Sequence, residues 1–274
     1  MTSKLVEIDG VRLEYAWYGP TPGEATTLIL LHEGLGCVAM WRDFPEKLSA
    51  ATGCGVLVYS RQGYGASDAC DLPRPVSFMH HEGQSVLPGL IKALGVQEHV
   101  LVGHSDGGSI VLINAGSAAT EGLKGVVTLA AHVFVEDISV SSIAAIKTVF
   151  ETTGMPDKLA RYHGDNTVCA FWGWNGVWLD PEFRDWNIEE FLSEIEVPVL
   201  ALQGVNDEYG TPDQIDSIKR NIGISARTIM LDDCGHSPQK DQPDATLRAI
   251  AGFVNRVSPA VSSTKSLPDN RFPS

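Results

Sequence analysis

Glu98-His99-Val100-Leu101-Val102 runs directly into Gly103-His104-Ser105-Asp106-Gly107, and a helix-compatible stretch, Ser109 to Ala115, follows at once. A serine between two glycines at a strand-to-helix junction reads as a nucleophile elbow. The turn is so sharp that only glycine leaves room at the flanking positions, and the serine hydroxyl is pushed out above the sheet. Ser105 is therefore the candidate nucleophile.

A serine hydroxyl is a weak nucleophile, so the reading requires a base and a group that orients the base. Both lie downstream. The apolar run Val197-Pro198-Val199-Leu200-Ala201-Leu202 leads to Gly204-Val205-Asn206-Asp207-Glu208, which puts Asp207 in the loop at a strand's carboxyl end. Thr228-Ile229-Met230-Leu231 leads to Asp232-Asp233-Cys234-Gly235-His236-Ser237-Pro238, which puts His236 on a turn before the last amphipathic segment. Asp207 fits the acid and His236 the base. Asp232 and Asp233 are rivals for the acid, but they stand too close to His236 in sequence for the usual reach.

The order Ser, Asp, His is that of α/β-hydrolases and differs from both the chymotrypsin-like and subtilisin-like orders. With the elbow, the chain resembles the α/β-hydrolase superfamily, in its branch of small esterases, lactonases and carbon–carbon hydrolases, over residues 4 to about 257. The loop Ser60-Arg61-Gln62-Gly63-Tyr64-Gly65-Ala66-Ser67 looks like that family's glycine-rich loop after the fourth strand, with Ser60-Arg61 where an acidic residue is common. The resemblance implies a mostly parallel eight-stranded sheet flanked by helices, an α/β-hydrolase fold with an inserted helical cap. It also implies that His32-Glu33-Gly34-Leu35-Gly36 forms an oxyanion loop, with the N–H groups of Gly34 and Asp106 as donors and Leu35 the fallback for Gly34. Glu33 departs from the usual glycine there. A carboxylate so close to an oxyanion hole is unhelpful unless it points away or pairs with a cation.

At 274 residues and 43% hydrophobic composition, the chain can bury a full core, and one main domain is expected. A net charge of −14 repels phosphate and argues against nucleic acid and anionic membranes as partners. Cys37, Cys54, Cys70, Cys169 and Cys234 show no regular spacing and no C-x-x-C pair, which fits reduced thiols in a cytoplasm. The amino terminus lacks the pattern of a signal peptide, and no apolar run reaches the ~20 residues of a membrane span. These features predict a soluble, cytoplasmic monomer or homodimer without cofactor or metal.

Residues 4 to 32 read as three strands forming an antiparallel edge. Helix at about 40–50, strand 55–59, helix 81–94, strand 98–102, helix 106–117 and strand 124–130 then alternate, which predicts a parallel sheet with helices on both faces. The rhythm breaks over residues 131–195, read as a helical cap between core segments 1–130 and 196–257, and 258–274 reads as a flexible tail. The cap carries Trp172, Trp174, Trp178 and Trp186, which either line a pocket for an apolar substrate or hold the cap on the core. His132, at the end of the sixth strand, is expected to face the pocket. His104 is expected to pack beside the serine, and the Asp106 carboxylate to cap the following helix.

The expected chemistry is acyl transfer from a small or medium apolar ester through a Ser105–His236–Asp207 triad, with Leu35, His132, Arg161, Trp172, Trp174 and Trp178 as candidate substrate contacts. Carbon–carbon bond hydrolysis of an aromatic ring-cleavage product is the alternative, with Arg161 the cation for its acidic product; lactonase and thioesterase activity also fit. A hydrolase-fold ligand receptor is the reading from a different class. Epoxide hydrolases and haloalkane dehalogenases carry Asp where this chain has Ser105.

Overall fold

The computed structural model describes residues 3–117 and 121–259. In chain order the elements are β1 (Lys4–Ile8), β2 (Val11–Tyr18), β3 (Thr27–Leu31), α1 (Phe44–Thr52) and β4 (Gly55–Tyr59). Then α2 (Phe78–His81) passes through a π-helical turn, Glu82–Val86, into α3 (Leu87–Ala93). β5 (His99–His104), α4 (Asp106–Ala115) and β6 (Leu123–Leu129) follow. Next come α5 (Asp137–Thr152), α6 (Met155–His163), α7 (Thr167–Trp178) and α8 (Glu189–Leu192), all between β6 and β7 (Val199–Gly204). α9 (Pro212–Ile222), β8 (Ala226–Leu231), α10 (Pro238–Asp241) and α11 (Pro243–Val257) complete the chain.

Eight strands form one sheet in the order β1-β2-β4-β3-β5-β6-β7-β8. Only the β1–β2 and β2–β4 pairs are antiparallel. This corrects the expected three-stranded antiparallel edge, because β3 lies inside the sheet, parallel to both β4 and β5. The physical reason is its composition: Thr27-Leu28-Ile29-Leu30-Leu31 offers no polar face to solvent, and such a strand belongs where both faces are covered.

Period-two alternation divides the core into two layers. Leu28 and Leu30 of β3, Val56 and Val58 of β4, and Val100 and Val102 of β5 face a layer closed by Phe44 and Leu48 of α1 and by Ile250, Phe253 and Val254 of α11. Ile29 and Leu31, Leu57 and Tyr59, and Leu101 face the other layer, closed by α3, α4 and the inserted helices. Helix ends follow local chemistry. Pro45 stands in the first turn of α1, and Gly53, at φ 70°, ends it with its N–H on Ser49 O.

Two of the five cysteines depart from the expectation of reduced thiols. Cys70, in the loop after β4, pairs with Cys169 of α7 as a disulfide, with Cα atoms 6.4 Å apart. Ninety-nine residues separate the two, so their meeting is tertiary and leaves no spacing signal. The pairing removes the argument from reduced thiols to the cytoplasm. Cys37, Cys54 and Cys234 are free and buried. Among the described residues, no helix is long and apolar enough to cross a membrane. The expected tail lies outside the described residues from position 260 onward.

Two glycines in helices separate backbone contact from helix propensity. A methyl group on Gly107 of α4 would strike the backbone carbonyl of Leu31, which cannot swing aside, whereas one on Gly176 of α7 would meet open space. Overpacking costs about 1–3 kcal/mol, and Ala is worth about 0.5–1 kcal/mol over Gly within a helix. Gly107→Ala is expected to lower the thermal midpoint by up to about 10 °C, at roughly 2–4 °C per kcal/mol, while Gly176→Ala holds or raises it. Thermal unfolding followed by circular dichroism checks both.

Candidate active site

β5 delivers Ser105 into a left-handed backbone conformation, φ 53° and ψ −120°, which a non-glycine residue adopts only where its surroundings compel it. Two backbone bonds hold it: Ser105 N–H donates to Leu129 O at 2.9 Å, and Ser109 N–H donates to Ser105 O at 3.0 Å. The hydroxyl then lies 2.9 Å from His236 Nε2, and His236 Nδ1 lies 2.8 Å from Asp207 Oδ1. Ser105, His236 and Asp207 thus form one hydrogen-bonded chain across three strand ends. Asp207 Oδ1 also accepts the Tyr209 N–H at 2.9 Å. Burial acts to raise the Asp207 carboxyl, but the His236 hydrogen bond and charge, with the Tyr209 N–H, hold it below its ordinary value. Asp232 and Asp233 point no carboxylate at His236; their backbone carbonyls accept from Gln242 instead.

Gly34 and Leu35 line the same cavity as Ser105. Asp106 opens α4, so its N–H has no carbonyl to serve within the helix. The Asp106 carboxylate does not cap that helix as expected. It is fully buried, its Oδ1 accepts Trp178 Nε1–H at 3.1 Å, and its Oδ2 lies 3.9 Å from Arg61 Nη2. Burial raises this carboxyl despite Arg61 and the Trp178 bond. Gly34 is glycine for a steric reason as well: a Cβ there would collide with the Trp174 indole.

Glu33, the departure in the expected oxyanion loop, has a cation beside it in Lys240. Its Oε1 lies 3.5 Å from Lys240 Nζ, while its Oε2 stands 3.4 Å from His104 Nδ1, which accepts from Gln239 Nε2 at 2.9 Å. His104 does more than pack beside the serine, because its Nε2 lies 2.7 Å from the backbone oxygen of His236 and so carries the proton that this acceptor requires. His104 therefore ties the elbow to the turn that carries His236.

A cavity of about 240 Å³ opens on Ser105, with Leu35, Ile143, Trp174 and Trp178 as its apolar wall and with His132, Glu33 and Glu208 among its polar groups. Four of the six candidate substrate contacts, Leu35, His132, Trp174 and Trp178, line it. The other two do not. Arg161 is exposed on α6, and Trp172 packs outward on Phe150 and Phe171 beneath Lys147. Helical spacing carries the signal that sorts them: Trp174 and Trp178 stand four apart and share a face, while Trp172, two residues from Trp174, looks the other way. Among the described residues, no group of three or more His, Cys, Asp or Glu is placed to hold a metal ion.

The profile of a family described as "Alpha/beta hydrolase family" matches residues 28–249. The chain is 26% identical over 257 residues to a proline iminopeptidase of Lactobacillus delbrueckii subsp. bulgaricus, covering 79% of this chain and 86% of that enzyme. It is 27% identical to the human serine hydrolase BPHL, covering 84% of this chain and 79% of that protein. A thermophilic esterase from Thermogutta terrifontis superposes with a TM-score of 0.72 at 17% identity, over 94% of this chain and all of the other.

His132 supplies a test that needs no substrate. Its ring is buried beside His236, at a centroid distance of 5.5 Å, and against Trp178, at 5.0 Å. Burial first, then the neighbouring His236 charge, push it down to about 3. A histidine shifted in that direction is neutral at every pH above its folded value, so His132 stays uncharged from pH 5 to 9. Its ring ¹⁵N resonances are expected to keep one neutral tautomer across that range, whereas a midpoint near the ordinary ~6.5 would show that water reaches the ring.

Proposed function

The chain belongs to the alpha/beta hydrolase family, and from that premise we propose that it is a serine hydrolase that cleaves carboxylic esters of small or medium apolar acids. The observation that carries this reading is the unbroken chain Ser105–His236–Asp207, with distances of 2.9 and 2.8 Å, opening on a largely apolar cavity. In the proposed cycle His236 Nε2 takes the Ser105 proton as Oγ attacks the ester carbonyl. Asp207 fixes the tautomer and steadies the imidazolium. The N–H groups of Gly34 and Asp106 receive the oxyanion, His236 returns the proton to the leaving alcohol, and a water activated by His236 then releases the acid from Ser105. The inserted helices 131–195 act as a cap that sets selectivity.

The cavity supports a small substrate: about 240 Å³ lies below the ~300–1,000 Å³ of drug-sized sites. Its acidic lining residues are Glu33, Glu208 and the buried Asp106, with no lysine or arginine. That favours neutral substrates over the acidic ring-cleavage product of the carbon–carbon hydrolase alternative, whose candidate cation, Arg161, stands outside. A second reading draws on the same carboxylates. An amide next to a free amine would find negative charge at the mouth, as the likeness to a proline iminopeptidase suggests. It ranks second because both glutamates already have partners, Lys240 for Glu33 and the His236 N–H, at 3.2 Å, for Glu208.

Peptide mapping after fluorophosphonate treatment is expected to place the adduct on Ser105, and Asp207→Asn to lower turnover by roughly 10³–10⁴ with the fold intact. Label on another serine, or full activity in Ser105→Ala, would end the proposal. Faster turnover of amino-acid p-nitroanilides than of p-nitrophenyl esters would move the assignment to the second reading.

Chain length tests the wall. Each buried methylene is worth ~0.8 kcal/mol, so efficiency is expected to climb about fourfold per carbon until the cavity fills, then fall. Trp174→Ala or Trp178→Ala shifts that optimum to longer acyl chains. Trp172→Ala, which removes a ring from outside the wall, leaves it in place.

A further inference from the structure

We infer that Arg61 is the positioning residue of the oxyanion hole: one buried guanidinium pins the peptide that carries the Gly34 N–H and lies against the carboxylate of Asp106, the residue that carries the second donor. The inference rests on the reading of Ser105 as nucleophile and of those two N–H groups as oxyanion donors. Arg61 stands two residues past the end of β4 and has no solvent exposure. Its Nη1 donates to His32 O, and its Nη2 donates to Glu33 O at 3.1 Å. Its backbone N–H donates to His32 Nε2 at 3.1 Å. Because Nε2 accepts there, the neutral His32 ring carries its proton on Nδ1, which lies 2.6 Å from the same Glu33 O. Glu33 O therefore receives two hydrogen bonds, one from Arg61 and one from His32.

The consequence comes from peptide geometry. Glu33 C=O and Gly34 N–H belong to one planar trans unit and point in opposite directions. Drawing the oxygen toward the buried Arg61 aims the Gly34 N–H the other way, and Gly34 borders the cavity that Ser105 also borders. The second arm is electrostatic. Arg61 Nη2 stands 3.9 Å from Asp106 Oδ2, which has no hydrogen-bond partner among the described residues, and the guanidinium lies over the Tyr64 ring at 5.1 Å. A fully buried arginine is expensive to desolvate, and a fork that meets two carbonyls and a carboxylate at once is a task lysine's single point charge cannot match. Arg61 does not border the cavity, so it acts through the Glu33–Gly34 peptide and does not touch substrate.

The test begins with wild-type enzyme that labels at Ser105 and turns over a p-nitrophenyl ester; no label there defeats the function assignment and not this inference. Arg61→Lys and Arg61→Met are then compared for kcat, for KM, and for the affinities of two inhibitors. One is an alkyl trifluoromethyl ketone, which forms a tetrahedral oxyanion on serine; the other is a planar amide of the same length. Loss of one oxyanion donor costs about 10²–10³ in kcat, and a misaimed donor costs less. Arg61→Lys is expected to lose roughly 10- to 100-fold in kcat and a similar factor in ketone affinity, with KM and amide affinity changed less than about threefold. Unchanged kcat and ketone affinity in a folded variant, or equal losses for ketone and amide, would overturn the inference. If neither Arg61 variant folds, His32→Ala removes the second donor to Glu33 O without unpairing the buried charge. The same selective loss supports the clamp, and no loss or an unselective one overturns it.

Discussion

Three backbones meet without side chains between them at the elbow, and the positions of the strand ends follow from that meeting. A Cβ on Gly103 would collide with the Gly107 carbonyl, one on Gly107 with the Leu31 carbonyl, and one on Gly108 would stand 2.7 Å from the Ala131 Cβ. β5 and α4 are thus pressed against the end of β3 on one side and the exit of β6 on the other. The left-handed residue between them costs on the order of 1–3 kcal/mol. Burial of every residue of α4 offsets that strain, together with the hydrogen bonds of Ser105 to Leu129 and Ser109. Because the approach is backbone on backbone, it fixes distances that flexible side chains would leave loose. The 2.9 Å contact of Ser105 with His236, delivered from a turn after β8, depends on it.

Beneath the elbow the chain buries opposite charges instead of avoiding them. Arg61 and Arg74 face Asp106 and Glu82, with Tyr64 between the guanidinium groups at 5.1 and 5.2 Å. Burial raises both carboxyls, and the two arginines oppose the rise. A purely apolar filling would pack this space at lower desolvation cost. What it could not do is hold carbonyl oxygens in a chosen direction, which the proposed oxyanion hole requires of the peptide before Gly34. The π-helical turn that carries Glu82 belongs to the same arrangement, since it is the local irregularity between α2 and α3 that presents this carboxylate inward.

The elbow was legible because its constraint is local: glycine at fixed offsets from one serine, between an apolar run and a helical one. Asp207 and His236 were legible because each follows an apolar strand directly, so its height above the sheet is set by the strand's end. The strands at 55–59 and 124–130 appeared within a residue of their observed bounds for the same reason. β3 was placed at the wrong side of β4 because strand order is a choice among pairings that sequence proximity biases toward hairpins. Arg61 is visible in the sequence only as part of Ser60-Arg61, where an acidic residue is common, since what gives it a role is the pair of carbonyls it meets, about thirty residues earlier. The pairing of Cys70 with Cys169 and the outward turn of Trp172 were hidden in the same way, by contacts that exist only after the inserted helices settle on the core.

That settling couples selectivity to chemistry. Trp174 rests on Gly34, and Trp178 donates its indole N–H to Asp106, so the two tryptophans that wall the cavity also touch the two residues proposed to bind the oxyanion. Helix α7 is apolar around most of its circumference, which is the pattern of a helix buried on several sides and not of a surface lid. Its Cys169 joins it to the loop after β4, the same loop that carries Arg61. The walls of the pocket and the supports of the proposed oxyanion loop are therefore one packed unit. A relative of this fold that changes the size of its pocket through α7 must rebuild the contact with Gly34 at the same time, and it is the glycine at position 34, with no side chain to move, that leaves only the indole free to adjust.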